Sequence, residues 1–160
     1  MPRHEQKHPV PFTPEQMFDL VADIGRYPEF LPWCSGARIT SRQMQTDGRE
    51  VVLADLIIGY KAFRGAYTSR VLLDRAAMKI DVTHTKGPFR HLNNHWVFLP
   101  RPEGGCLIDF MIDFEFQNPV IRKLIELVFT EAIHRMVQAF ETRARAIYTP
   151  VAAPGGVSTQ

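Results

Sequence analysis

The run CLIDFMIDFEF at residues 106–116 alternates between apolar and polar positions and stops at Asn118-Pro119. A period of two marks a strand. Asparagine followed by proline marks a helix start, with Asn118 as cap and Pro119 in the first turn. An amphipathic helix then runs to Tyr148. About 30 residues at 1.5 Å each give it a length of roughly 45 Å. A chain of 160 residues must wrap such a helix with the rest of its structure. The apolar positions Ile121, Leu124, Ile125, Val128, Phe129, Ala132, Ile133, Met136, Val137, Phe140, Ala144 and Ile147 form a face wider than packing on one flat sheet requires. A long helix held by a curved sheet leaves a space between them, and function is expected in that space.

The segments before the helix read as an antiparallel meander. A first strand is predicted over 3–10, ended by prolines. Thr13, Pro14 and Gln16 form a capping-box helix start, and Gly25 is read as its stop. Pro28 and Pro32 limit the next helical piece to about one turn. Strands are then predicted over 35–45, 49–60, 66–73, 77–84, 91–99 and 106–116. The strand at 49–60 is apolar on both faces and is expected to have little free surface. Residues 85–89 are read as a loop.

Composition excludes several functions. The chain is 45% hydrophobic and 22% charged, with a net charge of +2, which fits one globular domain. No stretch approaches the roughly 18 apolar residues of a membrane span, and the first residues lack an apolar secretory core. Cys34 and Cys106 are far apart and read as two free thiols in a reducing cytoplasm. His91 and His95 fall about 13 Å apart along a strand, too far for one metal ion. Asp109 and Asp113 are separated by a similar distance of about 13 Å, beyond glycosidase spacing. Nucleotide loops and nucleophile elbows are absent, so neither a metal nor a cofactor is expected.

Two features remain. Aromatic residues occur in every predicted element, and they would build a solid core or line a cavity equally well. Lys61-Ala62-Phe63-Arg64 and Lys86-Gly87-Pro88-Phe89-Arg90 each set a phenylalanine among cations between strands. An exposed ring flanked by cations suits an anionic membrane surface or RNA. The alternative is that each ring tucks beneath its own loop.

Five segments together are similar to one family: VPFTPEQMFDLVADIGRYPEFLPWCSGARI, GYKAFRGAYTSRV, GPFRHLNNHWVF, DFMIDFEF and MVQAFETRARAIY. It is the coenzyme Q-binding, START-like family within the polyketide cyclase-like superfamily, which includes a ubiquinone chaperone and a ribosome-association toxin. YPEFLPWC is the most specific segment. The resemblance spans residues 3–149. It implies an α+β helix-grip fold, as in START and birch-pollen-allergen-like proteins. That fold is a curved antiparallel sheet of about six to seven strands around a long C-terminal helix, with two short helices after the first strand. Residues 1–149 would form one ligand-binding domain and 150–160 a flexible tail.

The function implied is non-catalytic binding of ubiquinone or a related isoprenoid lipid, held as ligand and not as cofactor, in support of respiration and quinone synthesis. Expected lining residues are Phe18, Tyr27, Phe30 and Trp33 from the N-terminal part. The sheet would add Trp96, Phe98, Phe110 and Phe114. The helix would add Phe129, Ile133, Met136, Val137 and Phe140. Tyr60, Lys61 and His95 are candidates for headgroup contact. Lys61, Phe63, Arg64, Lys86, Phe89 and Arg90 are candidates for a membrane or RNA surface. The expected location is the cytoplasm, peripheral on the inner face of the respiratory membrane, with no DNA partner. A toxin-like inhibitor of ribosomal subunit association, using the basic surface on rRNA, is the first alternative. A polyketide cyclase or aromatase is the second, with Asp55, His84 or His95 as its polar group.

Overall fold

A computed structural model describes residues 3–60 and 63–151, the side chains of Tyr60 and Phe63 excepted. The chain forms β1 (Arg3–Val10), α1 (Pro14–Ala22), a 3-10 helix (Ile24–Glu29), β2 (Cys34–Met44), β3 (Glu50–Tyr60), β4 (Phe63–Asp74), β5 (Lys79–Lys86), β6 (Phe89–Pro100), β7 (Cys106–Phe116) and α2 (Pro119–Ile147). The seven strands make one antiparallel sheet in the order β1-β7-β6-β5-β4-β3-β2. From β2 onward consecutive strands pair as hairpins, while the first strand pairs with the last. α1 and the 3-10 helix carry the chain from one sheet edge to the other. α2 lies against the concave face and buries Phe129, Ile133, Met136, Val137, Phe140 and Ala144. This is the helix-grip architecture.

Local chemistry sets the helix ends. Thr13 Oγ1 accepts from the Gln16 N–H at 3.0 Å, and the Gln16 side chain accepts from the Thr13 N–H at 3.0 Å. Asn118 Oδ1 accepts from Val120 N–H at 2.8 Å and Ile121 N–H at 3.2 Å. α1 ends at Ala22, before the expected stop at Gly25. The Asp23 N–H reaches back to Leu20 O at 3.4 Å, a three-residue closure that turns the chain into the 3-10 helix containing Gly25.

Several strand limits also move. The turn between β4 and β5 occupies Arg75–Met78, with Met78 at a φ of 55° and Asp74 accepting from the Ala77 N–H. β5 therefore starts two residues later than expected and continues to Lys86. The expected loop at 85–89 contracts to Gly87-Pro88. Gly87 sits at a φ of +143°, and a Cβ there would lie 2.4 Å from Tyr67 Cβ. β3 is buried on one face only. Val52, Ala54 and Leu56 point inward, while Ile57 on the other face is 46% exposed. On α2, Leu124 and Ile147, expected in the core face, are each 48% exposed. Of the tail expected from Pro150, residues 152–160 lie outside the described residues. Val151 donates to Pro11 O at 2.7 Å.

The core is densest where Trp96 meets Phe110 at 4.7 Å and Phe140 at 5.2 Å, with Phe98 stacked alongside at 6.1 Å. Cys34 and Cys106 are free and buried, and burial pushes the Cys106 thiol up to about 12. One polar contact ties β1 to α2: His8 Nε2 lies 2.6 Å from Glu141 Oε1, and Arg145 holds the other carboxylate oxygen at 2.7 Å. Burial acts against the Glu141 carboxylate, but hydrogen bonds from His8 and Arg145 outweigh it and lower the pKa. A depressed native pKa gives stability that is complete above the usual glutamate range. It is lost as pH falls through the native value. Glu141→Gln is expected to cost about 1 kcal/mol at pH 7. In urea titrations the difference from wild type should shrink as pH falls from the ordinary glutamate range through the lowered native value, and vanish below it.

Candidate functional site: two adjacent chambers beneath the long helix

Helix and sheet part at the end where β7 passes into α2. An outer chamber of about 140 Å³ opens there. Ile58 and Gly59 of β3, Phe89 of β6, Phe114 and Phe116 of β7, and Ile125, Phe129, Ala132 and Ile133 of α2 form its walls. An inner chamber of about 80 Å³ lies deeper, between Leu56, Val71, Val82, Trp96 and Phe140. Trp33, Tyr67, Leu92, Ile112 and Met136 line both, so the two spaces share one wall. An apolar cavity of about 150 Å³ in a protein core takes up benzene, so the outer chamber is of ring size.

The chambers differ in chemistry. Carbon surrounds the outer one. The inner one contains Ser69, Asn94 and the phenols of Tyr27 and Tyr67. Tyr27 donates to Val21 O at 2.5 Å, and the Ser69 hydroxyl is close enough to the Tyr67 hydroxyl to act on its pKa, lowering it against the effect of burial. Asn94 donates one amide proton to Met111 O at 2.8 Å and accepts from Trp96 Nε1–H at 2.9 Å. Its second amide proton has no partner among the described residues. Burial, reinforced for Tyr27 by the neighbouring Tyr67, pushes both phenols above the ordinary tyrosine range. They stay neutral and serve as hydrogen-bonding groups, not as bases.

Phe89 closes the sheet on one side. β5 and β6 pair only over Lys79–Val82 and Asn94–Val97. Beyond Val82 the two strands separate. The Phe89 ring occupies that end, 5.1 Å from Tyr67, 5.7 Å from His84, 5.9 Å from Phe114 and 4.8 Å from Phe116. Phe89 is 5% exposed, so it tucks under its loop instead of meeting solvent as the surface reading required. A bulge between Phe89 and His91 turns the ring inward.

The residues expected to line a cavity divide into two groups. Tyr27, Trp33, Trp96, Phe114, Phe129, Ile133, Met136 and Phe140 border the chambers. Phe18, Phe98, Phe110 and Val137 border neither and fill solid core. Phe18 packs on Phe98 at 6.1 Å and under the Arg75 guanidinium at 4.5 Å. Phe30 lies on the outer side of Phe140, 5.3 Å away, and borders surface grooves instead. Strand parity would have added Leu92, Asn94 and Ile112, because each shares a face with a residue already assigned inward, whereas β4 carried no assigned residue to fix the parity of Tyr67 and Ser69.

Of the candidate polar groups, His95 faces outward and hydrogen-bonds Asp81, so it cannot contact a ligand headgroup. Asp55 is also on the outer face, where Thr68 donates to it at 2.8 Å. His84 is paired with Ser69 across the sheet, and its Nδ1 is buried without a partner among the described residues, but it borders neither chamber. Arg64, Lys86 and Arg90 are exposed. Lys61 and the side chains of Tyr60 and Phe63 lie outside the described residues. No group of residues suited to a metal ion occurs among the described residues, and no helix there is long and apolar enough to cross a membrane.

Residues 10–141 match the family described as polyketide cyclase / dehydrase and lipid transport. The ribosome association toxin RatA of Rickettsia prowazekii is 39% identical, over 86% of this chain and 92% of its own. The mitochondrial coenzyme Q-binding protein COQ10 homolog B of Xenopus laevis is 33% identical, over 86% of this chain and 55% of its own. A START superfamily protein from Mycobacterium smegmatis superposes with a TM-score of 0.76 at 20% identity, covering 91% of this chain and 98% of that one. The chain belongs to the polyketide cyclase / dehydrase and lipid transport family and is built on its START-like helix grip.

Proposed function

We propose that the protein is a non-catalytic carrier of a ring-bearing hydrophobic ligand of the ubiquinone class. One observation carries this reading: an apolar chamber of ring size shares a wall with a smaller one that contains hydrogen-bonding groups. A quinone carbonyl entering the inner chamber meets the second amide proton of Asn94 and the one proton that the Ser69–Tyr67 hydroxyl pair has left to donate. The apolar tail stays in the outer chamber and leaves through its open end. Moving such a molecule through water requires covering its tail, at about 25 cal/mol per Å². The resemblance to a coenzyme Q-binding protein supports this ligand class. Neutral phenols and an outward Asp55 and His95 favour binding over catalysis. Mass spectrometry of a solvent extract of the purified protein tests the reading. Ubiquinone or a precursor at near-stoichiometric ratio is expected, and a folded protein that is always empty in a quinone-containing host would remove it.

A second reading is favoured by the ribosome association toxin at 39% identity. In it the exposed cations Arg64, Lys86 and Arg90 meet rRNA. Co-sedimentation with ribosomal subunits would then fall steeply with salt, and neutralising these three residues together with Lys61 would abolish it.

A further inference from the structure

The first turns of α2 are apolar on two opposite faces. Ile125 and Phe129 look into the outer chamber. On the reverse side Val120, Leu124 and Leu127, spaced four and three apart, form a stripe along the helix. They are 67%, 48% and 80% exposed. At Glu131, paired with Arg135 at 3.1 Å, the stripe gives way to an ordinary charged face.

Charge around the stripe is distinctive. Strand register brings the β3–β4 turn, the β5–β6 turn and the start of α2 to the same end of the molecule. Arg64, Lys86, Arg90 and Lys123 are exposed there, and none pairs with a carboxylate among the described residues. Elsewhere every described arginine but Arg70, in the middle of β4, is paired. Arg3, Arg26, Arg38, Arg42, Arg49, Arg75, Arg101, Arg122, Arg135, Arg143 and Arg145 each have a carboxylate partner, so that Arg64, Arg70 and Arg90 stand apart among those described. Glu115 at this end is already held by Arg122 at 3.2 Å, which leaves Glu126 as the acidic side chain beside the stripe.

We infer that this end docks on an anionic lipid bilayer. Val120, Leu124 and Leu127 enter the interface, and Arg64, Lys86, Arg90 and Lys123 meet lipid phosphates. Aliphatic side chains ringed by unpaired cations match a surface that is apolar inside and anionic outside. RNA phosphate gives three aliphatic side chains nothing to bury against. A second copy of the chain would bring the same cations face to face. The choice of a bilayer rests on the hydrophobic-ligand reading, because docking this way sets the open chamber against the membrane.

Vesicle flotation of the full chain without added ligand tests the inference. Vesicles are phosphatidylcholine alone, or phosphatidylcholine with a minority of phosphatidylglycerol. Binding to the anionic vesicles is expected, and it should weaken with rising salt. L124E/L127E should bind at least tenfold less. Each of Lys86→Glu and Arg90→Glu should weaken binding by about fivefold or more. Both leucines are exposed, and an unchanged melting temperature confirms that the double variant is folded. No flotation, equal binding by L124E/L127E, or a dimer in size exclusion that this variant dissociates would each overturn the inference. Capture by ribosomal subunits with no flotation would do the same. Flotation by a protein that never carries quinone leaves the docking surface standing and removes only the carrier reading.

Discussion

Replacing Trp96 with alanine is expected to lower the stability of the fold by about 4 kcal/mol, in the upper range for truncating a buried aromatic. Trp96 is 3% exposed and touches Phe98, Phe110 and Phe140 from three sides. Its loss opens a void continuous with the inner chamber and strips Asn94 Oδ1 of its indole donor. A buried amide left unpaired adds about 1 kcal/mol or more to the cavity cost. Urea unfolding measures the loss, with Trp33 remaining as fluorescent reporter. A loss under about 2 kcal/mol, below the range for such truncations, would mean that the rings do not pack as tightly as the distances indicate.

Ala132→Phe should sharply weaken ligand binding while leaving the fold intact. Ala132 is half-buried on α2 and faces the outer chamber. A phenyl ring there occupies the space a ligand ring requires. An affinity loss of roughly 100-fold, about 3 kcal/mol, is expected. A short-tailed ubiquinone provides the probe, because Trp33 lines both chambers and a bound quinone quenches its fluorescence. Thr130→Phe, on the exposed side of the same helix, should bind as wild type does. Equal binding by the Ala132 variant would show that the ligand sits elsewhere.

Much of this architecture is legible in the chain, and the limits have physical causes. Capping at Thr13 and Asn118 and alternation along β7 are local, so neighbouring residues suffice to read them. The pairing of β1 with β7 is not local: parity tells which residues share a face but not which strands meet. Separating cavity from core is harder still. Phe110 and Phe114 have the same parity on the same strand, yet Phe110 is packed solid and Phe114 borders a void. What differs is the opposing surface. Ala132, a small residue on an otherwise bulky face, keeps α2 from filling the gap, and a small residue inside an apolar pattern is the signal that would have found it. Phe89, read in a loop with its ring either exposed or tucked beneath it, is the first residue of β6, and the bulge beside it that turns the ring inward is not visible in the local pattern. The stripe on α2 was missed because Leu124 fits the core period as well as the outer one.

The pairing of β1 with β7 also governs when this molecule can fold. Arg3 finds its partner at Asp113, and Val10 at Cys106. His8 waits for Glu141, and Val151 closes on Pro11. Nearly the whole chain must leave the ribosome before its first strand is covered. Closing so long a loop is entropically costly and is repaid late, which places the fold among the slow, high-contact-order topologies. Until then the nascent chain carries an open sheet edge at β7, the first place for misassembly in crowded synthesis. Charged Arg3, Glu5 and Lys7 along the exposed side of β1 keep the finished edge from recruiting another strand.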